Sequence, residues 1–314
     1  MSFNNENIKC EICGDFFTSQ KSLHSHIKGH KIFLKDYYEK YFPRKCPFCG
    51  LNIPYKNYEE YFSSFFYSDF HMEQYFEKYW DSEEAKNIAL EMLKRRIKNK
   101  KLTFAPTSLE IKSLKLPKLE TYIKMFGSYG KVCKLINVPM LLSKKMTEEI
   151  NNDYSSEKIL IDTREQKPLS FKNQEVCKLD IGDYTLPREN FTNTFIDRKS
   201  ESDFKGTLSS GYNRFRKELE RCRTLGCFLY ILVETKFDTL EQNNHFGKHT
   251  SNLNYIFHNM RTLQHEFSDC CQFVFSGSRK NSKTLIPKIL KSGDKLWNVD
   301  LQYFIDNNFI HELD

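Results

Sequence analysis

The sequence has no apolar run approaching the roughly 18–20 residues needed to span a bilayer, which excludes an ordinary helical membrane protein. Its first ten residues, MSFNNENIKC, lack the apolar stretch of a secretory signal, so a cytoplasmic setting is expected. There is no disulfide framework either. Of ten cysteines, four form two C-x-x-C pairs near the N-terminus and the rest are scattered, a pattern that fits reduced thiols with zinc as the use of the pairs. No P-loop motor sequence occurs. What remains is 39% hydrophobic and 28% charged, the balance of a soluble globular protein, and 314 residues suffice for two or three compact units.

Charge is unevenly distributed. Between Lys86 and Lys145 stand 15 Lys/Arg against 3 Asp/Glu, a local balance of +12 in a chain of net +7, so the remainder sums to −5. Such a segment suits a polyanion, with nucleic acid the commonest partner, although a solvated helical surface would also account for it.

In CEICGDFFTSQKSLHSHIKGH, Cys10 and Cys13 are followed after a 12-residue spacer by His26 and His30, with Phe17 and Leu23 between them. A hairpin knuckle supplies two thiolates and one helical turn two imidazoles, and tetrahedral Zn²⁺ stabilises a unit too small to do so by burial. The stretch resembles a Cys2His2 zinc finger (ββα), expected over residues 1–35. A single finger reads about three base pairs, so DNA reading and a structural role both stay open. RKCPFCGLN offers Cys46 and Cys49 as half of a second knuckle. His71, with Asp69 as an unusual fourth ligand, could complete it, but the residues favour a decayed knuckle packed by aromatic neighbours. The segment 36–82 is dense in Tyr and Phe at spacings of three and four, which predicts helix and a small aromatic core ahead of base stacking.

A basic helical module is expected over 83–145. Ser82 caps a helix whose stripe of Ile88, Leu90, Met92, Leu93 and Ile97 lies beside Lys94, Arg95, Arg96 and Lys98. Three short helices follow, one capped by Ser108, one over about 117–126 and one capped by Ser128. Pro106-Thr107-Ser108, Leu116-Pro117, Phe126-Gly127-Ser128 and Leu135 resemble the repeat that accompanies HNH-type homing endonucleases, over about 33 residues. The resemblance implies a small helix-turn-helix-like DNA-binding unit, with Lys118, Thr121, Tyr122 and Lys124 of the middle helix facing the groove. The polar stretch 146–157 reads as a linker.

From residue 158 the pattern alternates strands and helices. KILIDTREQ, EVCKLDIGDY and NTFIDRKSESD predict a strand ending at Asp162, a strand ending at Gly182-Asp183, and a strand through Phe195-Ile196. A charge cluster like FIDRKSESD is ordinarily a solvated loop. Here, however, Asp197 and Lys199 stand two apart on a strand and so share one face. Carboxylates converging from neighbouring strand ends would hold a hard cation such as Mg²⁺, beside a lysine at the attacking water. CFLYILVE, ending at Glu234, reads as a buried central strand. His245, His249, His258 and His265 are not spaced as a metal box.

The series GDY…DRKSESD resembles the G-D-x(n)-E-R-K-x3-D signature of XPF-type nucleases, supported by IDTREQ before it and YNRFRKELERCRTLGCFLYILVE after it, over about 158–280. The family's Glu is Asp197 here. The resemblance implies a restriction-endonuclease-like α/β fold and Mg²⁺- or Mn²⁺-dependent cleavage of DNA. It implies Asp183 and Asp197 as metal ligands, Lys199 at the water, and Asp162 and Glu165 completing the site. Arg164, Arg198, Asp203, Arg214 and Glu218 would support them. No tandem helix-hairpin-helix follows.

The expected protein is multidomain, with a zinc finger, an all-α DNA-binding module and an α/β nuclease domain over 158–314 that could pair with a second copy. The leading expectation is a site-directed, homing-type, phage-encoded endonuclease in the host cytoplasm. A structure-selective repair or recombination nuclease and an inactive DNA-binding protein on a nuclease scaffold are the alternatives.

Overall fold

The computed structural model describes residues 8–114, 116–240 and 251–313. Of the four late histidines, His245 and His249 fall outside them. The chain divides into two compact units, one formed by 1–103 with 115–139 and the other by 104–114 with 140–314.

In the first unit, β1 (Ile8–Lys9) pairs antiparallel with β2 (Phe16–Phe17), and α1 (Gln20–Gly29) follows, capped by Ser19. Leu23 and Ile27 of α1 are buried with Tyr37 and Tyr38 of α2 (Leu34–Tyr41) and with Tyr61 of α3 (Tyr58–Ser63). Tyr38 stacks on Tyr55 at 5.3 Å and meets Tyr58 and Phe62 edge-on. These rings therefore form a core. α4 (Asp69–Tyr79) buries Met72, Tyr75 and Phe76 while Phe70 stays 63% exposed, so the aromatic segment is not core throughout.

α5 (Glu83–Lys100) starts at Ser82, whose hydroxyl accepts from the Ala85 amide, and buries Ala85, Ala89, Leu93 and Ile97. α7 (Leu119–Phe126) and α8 (Tyr129–Leu135, capped by Ser128) complete this unit. Tyr122 does not face a groove. It is wholly buried, and its hydroxyl donates to the Ala89 carbonyl at 3.2 Å.

The second unit is built on a six-stranded mixed sheet of order β4-β3-β5-β6-β7-β8. The strands are β3 (Lys158–Asp162), β4 (Asn173–Cys177), β5 (Tyr184–Thr185), β6 (Thr194–Lys199), β7 (Phe228–Val233) and β8 (Cys271–Phe275). β7 is buried at all six positions, and it runs parallel to β6 and β8. On one face lie α9 (Glu201–Thr207), α10 (Tyr212–Thr224) and α11 (Leu253–Glu266), burying Phe204, Phe215, Leu219, Met260 and Leu263. On the other, α12 (Arg279–Ser292) buries Leu285, Ile286, Ile289 and Leu290, and α13 (Leu301–Asp306) follows it.

Two boundaries differ from those expected. Residues 104–114, with α6 (Ser108–Ser113), pack with the second unit because their partners lie there. The amide and hydroxyl of Ser108 donate to the buried Asp300 carboxylate at 2.9 and 2.5 Å, and Leu109 joins the core around Phe273. The cap of α6 is Thr107, in a capping box with Glu110, rather than Ser108. Residues 146–157 do not run free either. Ile150 is fully buried, and Lys288 donates to the carbonyls of Ile150 and Asn152. The strand expected to end at Gly182-Asp183 ends at Cys177, and the two residues form the turn into β5.

Candidate active site

β6 sets the site. Its pleat puts Asp197 and Lys199 on one side and Arg198 on the other. The Lys199 ammonium lies 2.9 and 2.7 Å from the two carboxylate oxygens of Asp197, and both side chains are largely buried. Burial alone would pull the Lys199 ammonium down, yet the Asp197 charge and hydrogen bond raise it above its ordinary range. It is a protonated lysine.

Asp183 faces Asp197 across the antiparallel β5–β6 pair, whose register sets Tyr184 opposite Ile196. The Asp183 amide donates to the Ile196 carbonyl at 2.7 Å, and its carboxylate accepts from the Arg198 amide at 2.7 Å. This close approach requires the preceding glycine. Gly182 has φ +61°, and a Cβ there would lie 2.8 Å from the Ile196 carbonyl oxygen. Burial, then the charge of Asp197, push the Asp183 carboxyl up to about 8. Two carboxylates thus share a pocket in which Lys199 pairs with one.

Glu218 of α10 approaches the same pocket. Burial first and Asp197 second raise its carboxyl, opposed by Lys199, Arg164 and the Gly182 amide. Arg198, on the opposite side, is clamped: its guanidinium donates to Glu165 at 3.0 Å and to Glu234 at 2.6 Å, with all three side chains about nine-tenths buried. It also donates to the Lys167 carbonyl, as does Arg279.

Glu165 therefore holds Arg198. Asp162 is occupied as well: its carboxylate accepts from the Arg164 amide and side chain and from the Leu179 amide. Burial works against its charge, but these donors hold the carboxyl below its ordinary range. Both carboxylates expected to complete the site thus accept from neighbouring groups, and Glu165 also lies near enough to Asp183 to raise its carboxyl. Asp203 shares hydrogen bonds with the α9 cap, Ser200, and Arg214 is exposed. Glu234 was not among the expected residues. The signal available was its place one residue past β7, where its amide donates to the Lys199 carbonyl.

The donor chemistry fits a divalent cation. Asp183 and Asp197 supply hard oxygens beside a single ammonium, that of Lys199. In the first unit, Cys10, Cys13, His26 and His30 bring four donor atoms within 4.8 Å of one another. Cys13 Sγ lies 3.2 Å from His26 Nε2, and Cys10 Sγ lies 3.7 Å from His30 Nε2. Bond lengths of about 2.0–2.3 Å at tetrahedral zinc put sulfur and nitrogen ligands roughly 3.6 Å apart, and these distances bracket that value. Cys46, Cys49 and His71 converge as a second group; Asp69 does not join it.

The basic residues are unevenly free. Lys112 pairs with Asp306 and Lys144 with Asp300 inside the second unit, while Lys118 pairs with Glu73 and Arg95 with Glu91 and the Phe62 carbonyl. Lys124 lies over the Trp80 ring, and Thr121 and Arg96 are half-buried. Lys94 and Lys98 are exposed on one face of α5. Among the described residues, no helix is long and apolar enough to cross a membrane.

No family model matches this chain, and no curated protein matches it. Among solved structures, it is similar to XPF from Aeropyrum pernix at 17% identity and TM-score 0.34, over 43% of this chain and 66% of that one. It is likewise similar to XPF from Aeropyrum pernix in complex with DNA, at 18% identity and TM-score 0.32, over 41% of this chain and 61% of that one. The chain thus spans less than two thirds of either.

Proposed function

We propose that the chain is a divalent-metal-dependent endonuclease that hydrolyses phosphodiester bonds of DNA. The observation that carries this reading is the meeting of Asp183, Asp197 and Lys199 in one pocket at the end of β6. Asp183 and Asp197 would hold Mg²⁺ or Mn²⁺, which when bound supplies Lewis-acid stabilisation of the phosphoryl oxygens and a more acidic water. Lys199, kept protonated by Asp197, orients the attacking water and offsets the negative charge that grows on phosphorus. The Arg198 amide fixes the Asp183 carboxylate, and the Glu165–Arg198–Glu234 clamp holds the strand from its other side. Glu218 modulates the charge of the pocket from α10.

DNA as substrate is supported by the exposed lysines of α5 and by the finger, which would hold Zn²⁺ through Cys10, Cys13, His26 and His30. In this reading those parts choose a site, as in a homing-type, phage-encoded enzyme. The experiment uses the full chain on supercoiled plasmid with Mg²⁺. Asp183→Asn, Asp197→Ala and Lys199→Ala should each cut at least about 10²-fold more slowly, the scale of losing one preorganised charge, with DNA binding retained. Cleavage at the wild-type rate in Asp197→Ala would overturn the assignment.

A further inference from the structure

The first unit contains one backbone device twice. In CEICG, the Cys10 amide donates to the Asp15 carbonyl and the Gly14 amide to the Cys10 carbonyl, both at 2.8 Å, with Gly14 at φ +89°. In CPFCG, the Cys46 amide donates to the Leu51 carbonyl at 2.9 Å and the Gly50 amide to the Cys46 carbonyl at 2.8 Å, with Gly50 at φ +72°. The left-handed glycine falls at the same offset in each, and a Lys45–Asn52 bridge closes the second hairpin. This turn aims two sulfurs at one point.

A third donor reaches that point from a different element. Ser68 caps α4 by accepting from the His71 amide, which sets His71 in the first turn. Its Nδ1 lies 3.4 Å from Cys49 Sγ and 3.9 Å from Cys46 Sγ. Those values bracket the roughly 3.6 Å expected between sulfur and nitrogen ligands of one tetrahedral zinc ion. Phe48 and Tyr67 pack against the imidazole at 5.5 Å and fix its plane. A cysteine–histidine hydrogen bond would need one sulfur and no knuckle; a decayed site would not keep all three donors and the glycine turn.

We propose that Cys46, Cys49 and His71 bind a second zinc ion, with water at the fourth position. Among the described residues, no further histidine, cysteine or carboxylate joins the group. Cys49 is exposed, so the fourth position opens to solvent. The ion ties the 46–52 hairpin to α4. It is also the more labile of the two, having three protein ligands where the finger offers four.

The test is metal analysis of the full chain purified from zinc-supplemented cells, with chelation followed by a chromogenic zinc indicator. Wild type should hold two equivalents and release them in two phases, the faster one missing in Cys49→Ser and in His71→Ala. Cys13→Ser/His30→Ala should keep the faster-released equivalent. Replacement by Co²⁺ gives a second readout. Cys49→Ser should lose part of the thiolate-to-cobalt charge-transfer band while the bands of the finger persist, which also shows that the finger still folds. One equivalent in the wild type, or two retained in a Cys46→Ser/Cys49→Ser/His71→Ala variant, would overturn the proposal.

Discussion

Asp300 gives the sharpest test of how the second unit is built. Its carboxylate is fully buried and accepts from the Ser108 amide at 2.9 Å, the Ser108 hydroxyl at 2.5 Å and the Lys144 ammonium at 2.6 Å, besides capping α13 through the Tyr303 amide. Asp300→Ala leaves a largely buried ammonium and two Ser108 donors without their acceptor. Breaking one partner of a buried pair costs roughly 3–5 kcal/mol. With a urea slope of about 2 kcal/mol/M, the midpoint should fall by roughly 2 M. The two tryptophans fall one in each unit, so a Trp80→Phe background leaves Trp297, stacked on Phe228, as the reporter. The pH dependence has a definite sign. Lys144 and Ser108 outweigh burial and hold the Asp300 carboxyl below its ordinary range. Its stabilisation is therefore complete above the unfolded value of about 3.9 and is lost as pH falls through the lower folded value. The gap between wild type and Asp300→Asn should be constant from about pH 5 to about pH 8 and shrink in acid. A midpoint unmoved by Asp300→Ala would refute the assignment of residues 104–114 to this unit.

His265 should show the opposite pH sign. Burial lowers it, but Glu110 at 2.5 Å raises it overall, so its contribution is complete below about 6.5 and lost as pH rises through the folded value; His265→Gln should flatten that alkaline decline in urea titrations. Gly182→Ala should cost more than about 1 kcal/mol and slow cleavage, because the new Cβ displaces the Ile196 carbonyl from Asp183; unchanged cleavage and stability would contradict the turn geometry. Lys94→Gln/Lys98→Gln should weaken binding to all duplex DNA and lower the slope of log K against log salt by about 2, measured by fluorescence anisotropy; an unchanged slope removes this face of α5 from the interface.

What could be read in the sequence was whatever depends on spacing along one element. The four finger ligands, the Ser82 and Ser128 caps and the buried run of β7 are of this kind, and the structure contains each. What could not be read depends on partners far away in the chain. The helix at Ser108 looks like one of three basic helices until Asp300, 192 residues later, accepts its amide. Tyr122 reads as groove-facing until α5 supplies the Ala89 carbonyl. Glu234 gains its role from the parallel register of β6 and β7, which brings it to Arg198.

The D-R-K triplet lies between these cases. A run of charges is ordinarily a solvated loop, yet the side chains of Asp197, Arg198 and Lys199 are 9%, 8% and 14% exposed. Strand alternation separates them by purpose: Asp197 and Lys199 pair toward the pocket, while Arg198 turns the other way into two buried carboxylates. Burying that many charges is unfavourable unless each finds a partner. Asp197, Arg198 and Lys199 each do, while Asp183 beside them has the Arg198 amide and a neighbour of its own sign. Burial and strand alternation together are why the triplet is not a solvated run of surface charge.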